Sequence, residues 1–221
     1  MAAMIKTALF LLGALSFVIA ADKSAKRIYS KELFPLSDSK IYIYETSFGD
    51  AAIKASLVNG LIETKSEAEN FKYYQKLEMR DNGLFIHQTY QWVKLLLVVK
   101  KENHVTYKRP LLRYAFPLFV GKEWYDETIE YINNDSNKVF IKGKVLSEEN
   151  VQTDAGRFST IKIETVVDSY GGSKNIVTEW IAPNIGLVKA QIEIKGGGIM
   201  GFARDILGYG TIEFLLKEIR N

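Results

Sequence analysis

Few side chains in this chain have the type and spacing to do chemistry. The only histidines, His87 and His104, show neither the H-x-x-x-H spacing of a zinc site nor a serine in a G-x-S-x-G turn. There is no cysteine, which excludes a thiolate nucleophile, a disulfide and a cysteine-ligated metal. Glu123, Asp126, Glu127 and Glu130 are close enough in sequence to pair across a cleft as glycosidase carboxylates do, but the wet face of a strand gives the same pattern. Gly196-Gly197-Gly198-Ile199-Met200-Gly201 matches G-x-G-x-x-G, yet a dinucleotide site needs that run to open a βαβ unit, and only twenty residues follow it. These observations predict no catalytic residue, no metal and no cofactor. The chain is read as not an enzyme.

Two features suit binding instead. Lys100, Lys101, Lys108, Arg109 and Arg113, with Glu102 the one acid among them, form a local basic cluster beside the apolar run Leu95–Val99. Such a rim suits an anionic head group, polysaccharide or acidic partner, though lysines that shield a sheet edge look the same. Ile199, Met200 and Phe202, on the glycine-rich segment, are apolar side chains that can touch a ligand, partner or membrane, or else cap the end of a core.

The compartment is written in the first twenty residues. Lys6 precedes a thirteen-residue apolar run, Thr7–Ile19, and Val18-Ile19-Ala20 supplies the small residues of a cleavage site. A membrane-crossing helix needs ~20 apolar residues, so the run predicts a secretory signal, 1–20, cleaved before Ala21. Export to the periplasm or beyond follows, without a lipid anchor through cysteine and with no transmembrane segment in the mature chain. Losing Lys6 takes the formal charge from +3 to +2, too balanced for a nucleic-acid partner.

The elements that must position any site are strands. Asn82-Gly83 sits between apolar-alternating segments as a hairpin turn, and Asn59-Gly60 reads as a bulge or bend within one strand, Ala52–Thr64. In 188–194, Val188, Ala190, Ile192 and Ile194 alternate with Lys189, Gln191 and Glu193, so one set faces a core and the other water. Trp180, before the turn Pro183–Gly186, is expected to lie across the hairpin from the apolar row. About ten strands, with no amphipathic helix between them, predict a single all-β domain over 21–221, a strongly curved or barrel-like antiparallel sheet.

Four islands add a family resemblance: Phe34-Pro35-Leu36; Phe116–Gly121 with Trp124; Val151 with Thr153–Phe158 and Lys162; and Trp180–Lys189. In this order they resemble bacterial exported β-barrel-like domains of unknown function, with a looser likeness in topology to periplasmic lipoprotein and lipid carriers. Asp154 stands where such domains often have proline. The resemblance implies a fold and a compartment and brings no active site. The reading that follows is an exported, non-enzymatic cell-envelope domain that binds an apolar or amphipathic ligand, or an envelope protein partner. Ile161, Ile163 and Val167, with the 188–194 row, would line the inner face. The alternatives are a structural or assembly subunit with a filled interior and, behind it, an envelope hydrolase.

Overall fold

The computed structural model describes residues 27–35, 40–47, 49–95, 99–133, 135–197 and 210–221. They form a short 3-10 turn, Lys31–Leu33, and twelve strands. These are β1 (Ile41–Thr46), β2 (Gly49–Val58), β3 (Leu61–Ala68), β4 (Phe71–Arg80), β5 (Gly83–Leu95) and β6 (Val99–Ala115). The second half comprises β7 (Glu123–Ile132), β8 (Asp135–Thr153), β9 (Gly156–Ser169), β10 (Lys174–Ala182), β11 (Gly186–Ile194) and β12 (Thr211–Arg220). Every strand pairs antiparallel with its sequence neighbours and β1 pairs with β12, which closes an up-and-down barrel.

The turns follow from local chemistry. Arg80 pairs with Gly83 across Asp81-Asn82. Val58 pairs with Leu61 across Asn59 (φ 52°) and Gly60 (φ 79°), both left-handed as a two-residue hairpin of this type requires. The expected bulge in one strand is therefore a turn between two, β2 and β3. A further strand absent from the sequence reading is the long β6, whose Lys100–Pro110 portion lacks alternation and contains a proline. The Leu95–Val99 run straddles the end of β5 and the start of β6 rather than forming a strand of its own; residues 96–98 lie outside the described residues.

Period two sorts the side chains. Ile161, Ile163, Val188, Ala190 and Ile194 are buried on the inner face, while Val167 and Ile192 are half-buried there. The outer wall carries charges on many strands, among them Lys54, Lys65, Lys142, Lys144, Glu164 and Glu193. A wall facing hydrocarbon would instead be an apolar band.

Trp180 corrects the expected register. It pairs with Lys162 on β9 and Lys189 on β11, which places it on the outer wall, opposite the Ala190 row. The bulge inserts Val188 on β11 between the Trp180–Lys189 and Ile181–Leu187 pairs, while Ile181 stays in step with Ile161 on β9 and is buried. Trp180 is nevertheless only 6% exposed. The Lys162 and Lys189 ammoniums lie 4.9 and 5.0 Å from its ring centroid, and its indole N–H donates to Glu149 Oε2 at 2.9 Å.

One end of the barrel is closed. Tyr29 and Leu118 exchange two backbone hydrogen bonds at 2.9 Å, and the Asn184 N–H donates to the Glu32 carbonyl at 2.7 Å. Gly186, at φ 91°, lies against Pro35. Segment 27–35 thus docks on the β10–β11 turn and drives Leu33 into a cluster with Leu118, Trp124, Ile161, Ile163 and Ile181. Packing there is tight: a Cβ on Gly143 would stand 2.0 Å from the Trp124 ring, its cross-strand neighbour, so only glycine fits.

Candidate functional site: the barrel lumen and its outer wall

Above that closed end the lumen holds a polar network that spans the barrel. Arg113 on β6 donates to Gln75 Oε1 on β4 at 2.7 Å and to Glu179 Oε1 on β10 at 2.8 Å. The Tyr114 hydroxyl donates to the other Glu179 oxygen. The Gln75 amide donates to the Tyr73 hydroxyl at 2.9 Å. Glu179 and Gln75 are 4% and 7% exposed. Burial, reinforced by the Glu179 charge, raises the Tyr114 pKa well above its ordinary value, so its proton stays in place as a donor to the carboxylate.

The lumen is two-faced. The inward face of β3–β7 carries a polar set, Thr64, Ser66, Tyr73, Gln75, Thr89, Gln91, Tyr107, Thr128 and Glu130, beside buried apolar residues such as Ile62, Phe71, Leu77, Val93 and Val105. Inward residues of β9–β12, β1 and β2 are largely apolar, with Ile53, Val167, Val177, Ile192, Ile212 and Phe214. The Arg113 side chain keeps 22% of its exposure although the barrel encloses it, and Tyr73, Tyr107, Ile53, Val167, Val177 and Ile192 are half-buried. Away from the strand ends, where inward-register Leu57 and Lys101 meet solvent, such exposure is to space within the barrel or at its mouth. Tyr42 Oη, Ser66 Oγ and Asn175 Oδ1 face the same interior, buried and without a hydrogen-bond partner among the described residues. Glu130, 5% exposed, accepts from the Ser169 hydroxyl, and burial raises its pKa against that bond.

The five basic residues do not form one patch. Lys100, Lys101 and Lys108 are exposed along β6, with Lys101 paired to Val93 near the start of the strand. Arg109 and Arg113 instead belong to the wall's construction. The β6–β7 ladder covers only residues 105–107 against 130–132. Beyond it, alternate side chains of β7 take over. The Trp124 indole N–H donates to the Arg113 carbonyl at 3.0 Å. Asp126 accepts from the Leu112 N–H at 2.8 Å and from both guanidinium nitrogens of Arg109, at 3.0 and 2.5 Å. The Thr128 hydroxyl bonds the Arg109 backbone. Burial disfavours the Asp126 charge, but Arg109 and the Leu112 N–H outweigh it and hold the carboxyl below its ordinary range.

The carboxylates considered for catalysis are dispersed: Glu123 pairs with Lys144 at 2.7 Å and Glu127 with Lys138 at 3.0 Å on the outside, while Asp126 and Glu130 point inward. His87, the extra residue of a β5 bulge, meets Glu78 at 2.8 Å, and Arg80 together with His87 lowers the Glu78 pKa to about 2. His104 packs on Tyr90. Among the described residues no three potential metal ligands converge. Ile199, Met200 and Phe202 lie outside the described residues. Gly196 and Gly197 are described, and their N–H groups bond Lys174 and Gly172 at the β9–β10 turn.

A second feature escaped the sequence reading. On the outer wall, Lys65, Tyr74, Tyr90 and His104 stand in register across β3–β6. The Tyr74–Tyr90 centroids are 5.3 Å apart with a 31° tilt, and Tyr90–His104 4.6 Å with 49°. They flank a groove of about 370 Å3 that Glu63, Lys65, Lys72, Lys76 and Gln88 also line. A second outer groove of about 400 Å3 adjoins it at Lys72, bordered by Asp50, Glu67, Glu69 and Arg220. Nothing local in the sequence marks Tyr74 and Tyr90 as an outer row, because Tyr73 and Tyr74 are adjacent and only the register tells them apart.

Residues 122–202 match the model of the DUF3108-like family, a family of unknown function. The span contains the third and fourth islands and Trp124. The likeness to exported barrel-like domains is thus to this family, over less than half of the chain. No curated protein matches the sequence significantly. Two crystal structures resemble the fold loosely. One is a candidate lipoprotein from Parabacteroides distasonis, 13% identical, covering 85% of this chain and 98% of its own, with a TM-score of 0.40. The other is a candidate exported protein with a YmcC-like fold from Bacteroides fragilis, 10% identical at the same coverage, with a TM-score of 0.33.

Proposed function

We propose that this chain is an exported, non-enzymatic domain of the cell envelope that holds an amphipathic ligand in its lumen. Residues 1–20 would be removed on export, so that intact-mass analysis finds Ala21 at the start of the mature protein. The observation that carries the reading is the interior exposure around Arg113. A closed barrel of twelve strands is wider than the roughly eight whose interior side chains just fill. Here the half-buried inner residues divide into a polar arc on β3–β7 and an apolar arc on β9–β2. A ligand with one apolar and one hydrogen-bonding side matches that division.

The test is titration of the purified barrel with a fluorescent fatty acid. Saturable uptake at micromolar concentration is expected, weakened about tenfold by Val177→Phe, which narrows the apolar arc, with the urea midpoint retained. Ile192→Trp serves as a second variant should the first fail to fold. Absence of uptake by the wild type, or uptake indifferent to both substitutions, overturns the reading in favour of an assembly subunit.

A further inference from the structure

We infer that the outer groove over β3–β6 is a second binding site, for a carboxylated saccharide chain of the uronic-acid type. It opens on the outer wall, where eight of its ten lining residues point outward; Thr64 and Gln75, whose side chains face the lumen, also border it. Much of the outer wall is charged side chains in cross-strand pairs, such as Lys144 with Glu123 at 2.7 Å, with one other ring pair, Tyr125 and Phe140, on β7 and β8. Here a row of rings interrupts that pattern. Successive tilts of 31° and 49° fan Tyr74, Tyr90 and His104 apart, so their faces are not sealed against one another. Trp92 continues the aromatic surface one row along, with the Lys72 ammonium 5.7 Å from its ring. Ring faces beside a groove of this size suit the C–H face of a sugar, which has hydroxyls at its rim and an apolar surface between them.

Charge selects among sugars. The groove lining brings three lysines against one carboxylate, Glu63. Lys76 is occupied by that carboxylate at 3.5 Å and Lys72 meets Glu67 at the outer limit of 4.0 Å. Lys65, 5.9 Å from the centre of the Tyr74 ring, has no carboxylate partner among the described residues. Glu67 and Glu102 at the rim accept from the Tyr74 and Tyr90 hydroxyls, while within the lining the surplus is positive and spread over two strands as separate point charges. That matches single carboxylates along a chain better than phosphate, whose recognition favours the arginine fork or a nest of backbone N–H groups; no arginine lines the groove. The adjoining groove has the opposite balance, Asp50, Glu67 and Glu69 against Lys72 and Arg220, so an acidic ligand ends at Lys72.

Calorimetric titration of the purified protein with tetragalacturonate tests the assignment. The expected result is saturable binding that weakens severalfold as salt rises from about 0.05 to 0.5 M. Tyr90→Ala should weaken it about tenfold, the scale of a lost aromatic stacking contact. Lys65→Ala should remove most of the salt dependence, and both variants should keep the wild-type urea midpoint. Tighter binding of the methyl-esterified tetrasaccharide, or of a single-stranded oligonucleotide, overturns the carboxylate assignment. No binding of tetragalacturonate overturns the site. Neither result touches the lumen, since fatty-acid uptake by the Tyr90→Ala protein is expected to be unchanged.

Discussion

Glu179→Leu is the sharpest test of the lumen network. The carboxylate holds one nitrogen of Arg113 at 2.8 Å and the Tyr114 hydroxyl, while Gln75 holds the other Arg113 nitrogen at 2.7 Å. Removing one partner of a buried ion pair costs about 3–5 kcal/mol, because the remaining charge is left desolvated. Two features place this case at the lower end: Arg113 keeps 22% exposure to the lumen, and Gln75 remains as an acceptor. The Tyr114 donor is orphaned, which adds about 1 kcal/mol. A loss of about 3–4 kcal/mol is expected, or a drop of about 1–2 M in the urea midpoint at the usual slopes. Arg113→Met should cost about the same, since it leaves Glu179 charged and buried. The double variant Arg113→Met/Glu179→Leu should recover much of the loss, with a coupling of about 2 kcal/mol or more in the cycle. Additive single losses, or a Glu179→Leu cost below about 1 kcal/mol, would refute the account: the two groups would then be solvated independently and the bridge across the barrel would hold nothing.

Two further outcomes can be measured by the same melts. Trp180→Ala should cost about 3 kcal/mol, and Lys189→Ala about 0.5–1 kcal/mol because that lysine covers the indole; an inert Lys189 would mean the outer register is wrong. Glu130 has a raised pKa in the fold, so the native state keeps a proton that the unfolded chain releases above its ordinary glutamate pKa. Its contribution is therefore fully present below about pH 4.5 and declines as pH rises toward the folded value. Glu130→Gln should flatten that decline and raise the urea midpoint at pH 7, whereas wild type and variant declining in parallel would place the carboxyl in water.

Alternation and turn chemistry were enough to read an all-β curved sheet from the sequence, because the inner row of 188–194 and the Asn82-Gly83 turn obey local rules. What misled were bulges and a polar interior. One extra residue on β11, Val188, sets Trp180 against Lys189 instead of the apolar row, and no local pattern announces it. Arg113 resembles its exposed neighbours in sequence, yet a shift in β6 turns it inward. Gln75 and Glu179 alternate as surface residues do, since a two-faced lumen has polar residues on both sides of several strands. The aromatic row was invisible for a related reason: it exists only across four strands, and its members are scattered from Lys65 to His104.

The join between β6 and β7 gives the barrel an uneven mechanical character. Elsewhere in the described wall, pulling two strands apart means breaking a run of main-chain bonds. Along 108–115 it means releasing Trp124, Asp126 and Thr128, side chains that can swing on their own rotors and re-form their contacts. A hoop built this way has one clasp among its welds. Changes in girth, whether thermal breathing or the entry of something into the lumen, should concentrate at that clasp, with Arg109 and Asp126 as its two halves.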